Sequence, residues 1–480
     1  MKKFTALLLV LLLLASLTIS CTKNENESTD SNTVTTQDGN NSDNGPTLDL
    51  PEGLSFGGQD VRILVRTSSL SYHDYVQNDS PSLVEMAVFD RNVYVSNLLD
   101  VNFVFYNMNG FSDGRVDFCS AIRTSSMSGG DNYHIVVPAS YYGTSLIIEN
   151  VYVDLAKTEY IDLEQDYWWD GFMEAVTING KVFMATGDYS IDALACMEAI
   201  FFNKTLASQL QLDNPYELVE NGNWTMEAML NMASKASYDE GNDGVYDRYG
   251  LTFGFQGARC IPYSGDGFVI TKNGNGTFQI ANNFDRIQNM LTTVLDSINT
   301  STSHYYTENG EMMNAFISDR SLFMMNSFEG INKLKSSNVD YGILIYPKYD
   351  ADQKDYITGV CGDTVCAIVN GLDDESLEMA GATLQALMYA SYVYTTPAYF
   401  EATLRGQIAQ DEESYYMLEC IRGTVKYDIS MIFSDSVKGS DYFTNCMPGG
   451  KYSSISSWYG GVGTSVEQTL SDLINHPIFE

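Results

Sequence analysis

Basic residues are scarce in this sequence: 26 lysines and arginines stand against 62 aspartates and glutamates, giving a formal net charge of −36 over 480 residues. Nucleic acid is thereby excluded as a partner, since phosphate binding needs an excess of Lys and Arg. Neutral and cationic ligands remain compatible with such a surface. Histidine is also sparse, and His73, His134, His304 and His476 lie too far apart to suggest a zinc site. There are eight cysteines and no CxxC pair. With Cys21 set apart, Cys119, Cys196, Cys260, Cys361, Cys366, Cys420 and Cys446 form an odd, irregularly spaced set. That pattern argues against a disulfide framework and for small buried hydrophobes. No HExxH, Walker loop or GxGxxG occurs, and the GxSxG spacing at Gly53 to Gly57 and Gly110 to Gly114 is by itself too short a signal to mark an enzyme. The abundant carboxylates supply pairs of the kind a glycoside hydrolase needs without singling one out.

What is present begins with Lys2 and Lys3 ahead of the apolar run from Ala6 to Leu17, which is too short to span a bilayer and reads as a signal peptide over residues 1–20. Leu17-Thr18-Ile19-Ser20-Cys21 resembles a bacterial lipobox, with Thr18 in place of the usual leucine. The expectation is lipidation at Cys21, a membrane anchor at the extracellular face, and a flexible linker over residues 21–52. That linker has too little apolar surface to offset its ordering entropy. The rest is long enough for two lobes, because single cores stop growing near roughly 250–300 residues.

Along the body, Gln59 to Val65 reads as a first buried strand, 84–99 as a helix, Asn102 to Tyr106 as a second strand and His134 to Pro138 as a third. Alternation of this kind predicts an α/β fold with a mostly parallel, helix-covered sheet. Ligands collect at the carboxyl ends of such strands, which places the loops at Ser68 to Tyr72 and Ser140 to Tyr142 near one. Asn179-Gly180 predicts a tight hairpin turn within 176–185, and the neighbouring Trp168 and Trp169 read as core or lobe-interface packing. Helices are predicted over 374–394, 412–425 and 464–474, with 397–405 as a return between lobes.

The stretch from Asn223 to Leu251 joins three local signals. Thr225 is placed to cap a helix whose Met226, Met229, Leu230 and Ala233 recur at helical spacing. Asp239, Gly241, Asp243, Gly244 and Asp247 then follow the spacing of a calcium loop. Gly241 brings no side chain to the third position, and Gly250 stands where a bidentate Glu would close the cage. The segment reads either as an acidic turn or as a structural calcium site held by Asp239, Asp243 and Asp247. No other cofactor is expected.

An apolar strand ending in Asn203-Lys204, the Trp224-Thr225 helix start, the NDGVYDRYG turn (Asn242 to Gly250) and the DYGILIYP strand (Asp340 to Pro347) follow one another in that order. Together they resemble the extracellular solute-binding proteins that feed carbohydrate ABC importers, over most of the chain after about Leu54. The resemblance implies a two-lobed, type II periplasmic-binding-protein-like fold with a hinge. Lobe 1 would comprise 53–190 and 346–398, and lobe 2 would comprise 191–345 and 399–480. It also implies a non-enzymatic monomer that captures a carbohydrate, an oligosaccharide for preference, and hands it to ABC-transporter permease subunits. By position in that family, Trp458 corresponds to a stacking tryptophan just before the final helix. Phe328 and Glu329 correspond to an aromatic site that here carries Phe instead of Trp, and Tyr141 and Tyr142 to third-strand loop contacts. Asp188, Gln256, Arg259, Tyr263 and Asp266 join them by loop position alone. A secreted glycoside hydrolase, or a surface glycan-binding adhesin without a transporter, would share the anchor and the aromatics.

Overall fold

Two sheets organise the chain. The computed structural model describes residues 46–480 apart from 68–81, 112, 131, 244–245, 282, 302–303, 307–310, 331–333, 335, 361–363, 405–411 and 438–453. The signal peptide, Cys21, the first part of the linker, the loop at Ser68 to Tyr72, Gly244, Cys361 and Cys446 lie outside the described residues. No helix among the described residues is long and apolar enough to cross a membrane.

In the first sheet, β1 (Gln59–Thr67) pairs in parallel with β2 (Val101–Asn109) on one side and with β3 (Ile135–Val137) on the other. Val61, Ile63, Leu64 and Val65 are all buried, the near-continuous apolar run expected of a parallel strand covered on both faces. The Leu83–Leu99 helix covers it, started by a capping box in which Ser82 and Glu85 satisfy each other's backbone N–H groups.

The second sheet is mixed. It contains β4 (Glu198–Asn203), β5 (Tyr249–Phe253), β8 (His304–Tyr306), β9 (Ser321–Ser327) and β10 (Tyr341–Leu344) in the order β10-β4-β9-β5-β8. β5 runs parallel to β8 and β9, whereas β4 runs antiparallel to β9 and β10. The expectation of mostly parallel pairing therefore holds only for the first sheet. A separate hairpin joins β6 (Ile270–Lys272) to β7 (Phe278–Ile280). The chain then returns to the first sheet as β11 (Ala367–Ile368), antiparallel to β3.

Between the sheets the backbone pairs at Ala185 with Cys366, Met197 with Val360 and Thr358 with Val425. The chain returns once more at its end: Lys181 Nζ donates to Ile478 O at 2.9 Å, and Phe479 packs its ring edge-on to Phe183. Asn179 and Gly180 both have positive φ (51° and 77°), which fits the predicted tight turn, closed by a single bridge between Ile178 and Lys181.

Other boundaries differ from the sequence reading. Part of the predicted linker is tied to the body: Thr47 N donates to Gln165 Oε1, Tyr167 Oη donates to Thr47 O, and Leu48 and Leu50 pack on the core. The helix predicted over 374–394 ends its regular part at Ala390 and continues as one π-turn, Ser391–Thr395, into a further helix, Thr396–Leu404. The final helix runs Ile455–Ile474, begun by Ser454 Oγ accepting from Ser457 N.

Candidate functional site

Arg66 is the penultimate residue of β1, and its side chain turns to Asp192 in the first turn of the Ile191–Cys196 helix, which links the two sheets. The pair is buried, with an Nη2–Oδ2 distance of 2.5 Å. Ser190 fixes that helix start by accepting from Ala193 N. Thr364, which pairs with Ala139 beyond the end of β3, accepts from Arg66 Nη2 at 2.6 Å and donates to the same Asp192 oxygen. Burial pushes the Asp192 carboxyl up, and the guanidinium beside it pulls the other way. The other oxygen, Oδ1, is buried and has no hydrogen-bond partner among the described residues.

Predicted site residues gather round this pair from both sheets. Tyr141 and Tyr142 follow β3 and meet edge to face at 5.0 Å between centroids. Tyr141 is half-buried, within the fields of Arg66, of Arg115 and of Asp435, which itself pairs with Arg115 at 3.3 Å. Tyr142 is 1% exposed, and its hydroxyl has no hydrogen-bond partner among the described residues. Glu329 is exposed on the Phe328–Gly330 turn that follows β9 and packs against the Ile191–Cys196 helix. Partial desolvation, then the like charge of Asp192, raises its carboxyl above the usual range.

Other predicted residues lie elsewhere. Phe328 is a core residue, edge-on to Phe201 at 6.0 Å, and offers no face to a ligand. Strand pairing explains this: β9 lies beside β4, so the residue after it drops onto Phe201. Tyr263 is buried on the Phe255–Ser264 helix, stacked on Phe268 and donating to Asp428 Oδ2 at 2.9 Å. On the same helix Gln256 is exposed and Arg259 is buried. Asp188 is fully buried, both oxygens bonded to Arg422 at 2.9 and 2.8 Å while Trp169 Nε1 donates to Oδ1 at 2.8 Å. Its chemistry is internal. Asp266 is exposed, 3.7 Å from Lys426, on the rim of a cavity of about 230 Å³ that Lys272, Tyr427 and Glu174 also line.

Trp458 sits inside the final helix, not before it, half-buried and next to Tyr459, whose ring meets Phe284 edge-on at 5.1 Å. In the acidic turn, Asp247 Oδ2 accepts from Glu240 N at 2.8 Å, and no group of three or more His, Cys, Asp or Glu side chains converges on a metal position among the described residues. Gly250 is explained by packing. A Cβ there would lie 2.0 Å from the Ala233 carbonyl oxygen, so the residue that would complete a calcium cage cannot stand at this place.

The sequence reading missed Arg66, Asp192 and Thr364. An arginine directly after the apolar run Ile63-Leu64-Val65 was the available signal; its partners lie 126 and 298 residues away.

No family model and no curated protein sequence matches the chain. Among solved structures it is similar to the cyclic α-maltosyl-1,6-maltose binding protein from Arthrobacter globiformis, at 13% identity and a TM-score of 0.56, over 87% of this chain and 100% of that one. It is similar to the GacH receptor of Streptomyces glaucescens, which has been seen with acarbose, at 11% identity and a TM-score of 0.54, over 86% of this chain and 99% of that one. An extracellular solute-binding protein from Staphylococcus aureus in complex with maltose gives 13% identity and a TM-score of 0.53, over 87% and 96%. The fold is the two-lobed, type II periplasmic-binding-protein-like α/β fold.

Proposed function

We propose that the chain is an extracellular substrate-binding protein, lipid-anchored at Cys21, that captures a carbohydrate between its lobes and delivers it to the permease subunits of an ABC importer. The observation that carries this reading is the convergence at one place of Arg66, Tyr141, Tyr142, Asp192, Glu329 and Thr364, contributed by strand ends and connections of both sheets. Arg and carboxylate groups bond the hydroxyl edge of a sugar, and an aromatic ring covers its C–H face. Proteins of the same fold bind maltose, acarbose and cyclic α-maltosyl-1,6-maltose, which favours sugar among the solutes.

The protein performs no covalent chemistry in this reading. A ligand that touches both lobes stabilises the closed arrangement by its differential affinity for it, and the transporter then has to favour release. Lobe 1 spans 53–190 and 346–398, and lobe 2 spans 191–345 and 399–480.

The test is a thermal-shift screen of the purified protein against mono- and oligosaccharides, amino acids, peptides and polyamines, with product analysis on the same samples. A solute at about a hundredfold excess over its Kd stabilises the native state by about 2.7 kcal/mol. A shift with a sugar class and no turnover is the expected outcome. Sugar cleavage would make the protein a hydrolase, and no shift with any solute would remove the importer role.

A further inference from the structure

The turn after β9 holds a carboxylate that no countercharge pairs with among the described residues. Among the described residues no hydrogen bond or ion pair engages Glu329, and the charge acting on it is that of Asp192, of the same sign. The nearby positive charge of Arg66 is matched by Asp192 itself, which takes both Arg66 and Thr364 on Oδ2 and leaves the buried Oδ1 without a donor. A third oxygen belongs to the same neighbourhood. The buried Tyr142 hydroxyl, also without a partner, lies 2.7 Å from the point where a Cβ on Gly110 would stand, and Arg66 Cγ lies 2.6 Å from that same point. Two of these three groups can only accept. Native proteins seldom leave a buried acceptor unmatched, so a donor is expected to arrive with the ligand.

A neutral sugar hydroxyl brings a donor and no charge. An ammonium brings three donors and the positive charge that Arg66, Asp192 and Glu329 together lack. The net charge of −36 also raises the local concentration of cations around the molecule. We infer that the solute captured here carries a primary ammonium, as an amino sugar does, and that the Glu329 carboxylate and Asp192 Oδ1 receive it. This rests on the solute-binding reading above and narrows its substrate class.

The experiment is calorimetric titration of the full chain with three tetrasaccharides in parallel: the β-1,4-linked glucosamine oligomer, its fully N-acetylated counterpart and maltotetraose. The glucosamine oligomer is expected to bind at least about tenfold tighter than the N-acetylated one, the ratio that one charge-assisted hydrogen bond supports. Glu329→Gln is expected to abolish that preference while the unliganded unfolding midpoint stays in place, because Glu329 is exposed. Equal or tighter binding of either neutral oligomer, or a preference that survives Glu329→Gln, would overturn the inference and leave sugar capture standing. If none of the three sugars and no other carbohydrate binds, both readings fall.

Discussion

Replacing Arg422 with leucine destabilises the folded chain by roughly 3–5 kcal/mol, the cost of leaving one member of a buried ion pair without its partner. Asp188 is fully buried, and both of its oxygens are held by Arg422. Without the guanidinium the carboxylate loses both charge-assisted bonds and keeps the Trp169 Nε1 donor at 2.8 Å. Arg422 also donates to Asp166 O at 3.2 Å and lies over the Tyr392 ring at 5.4 Å, so it ties the Glu412–Gly423 helix to the segment before the Asp170–Val176 helix.

The pH dependence of the loss carries a sign. Burial raises the Asp188 carboxyl above its usual 3.8 even with Arg422 opposing it, and removal of Arg422 raises it further. A carboxyl that binds its proton more tightly when folded contributes stability below the unfolded value, and that contribution is lost as pH rises through the folded value. Urea unfolding should therefore show a deficit that is largest at neutral pH and shrinks toward acid. Combining Arg422→Leu with Asp188→Asn should recover part of it. A deficit independent of pH would mean that lost packing around Arg422, not the stranded carboxylate, is responsible.

Trp224→Ala is expected to cost about 3–5 kcal/mol, the range for truncating a large buried aromatic. Trp224 is fully buried, its Nε1 donates to Ile345 O at 2.8 Å, and its ring lies tilted on Phe323 at 5.7 Å. It thus fastens the segment after β10 to β9, two elements of one sheet that are not adjacent in the order β10-β4-β9. Chemical denaturation reads the loss directly. Trp224→Phe should retain much of the packing and lose the hydrogen bond, so it should fall between the wild type and the alanine variant. A cost below about 1 kcal/mol for Trp224→Ala would contradict this role.

The features that were legible in the sequence are those whose cause is local. Thr225 Oγ1 accepts from Ala228 N at 3.2 Å at the start of the Met226–Ala236 helix, and the residues at helical spacing Met226, Met229 and Ala233 are buried. Asn179-Gly180 announced its turn in the same way, since both residues must take positive φ. Trp168 and Trp169 are buried, as their bulk suggested, and among the described cysteines Cys119, Cys196, Cys260 and Cys366 are buried.

Features set by distant partners were not legible. Asp188 read as a loop carboxylate because Arg422 stands 234 residues away. Phe328 read as a ligand platform because nothing in its own neighbourhood reveals Phe201. The acidic turn matched a metal loop in spacing, while the reason for Gly250 lies in the backbone of the preceding helix at Ala233. Trp458 reads as preceding a final helix over 464–474, yet that helix runs Ile455–Ile474, through Gly460 and Gly461, with Ser454 as its cap.

The central claim is that a carbohydrate is held between two lobes that close on it. Small-angle X-ray scattering of the protein with and without the sugar that raises its unfolding midpoint tests this directly. The account predicts a smaller radius of gyration with sugar, since bound ligand favours the arrangement in which both lobes touch it. Saturating sugar with an unchanged scattering curve would contradict it, and would place the sugar on one lobe of a molecule that does not close.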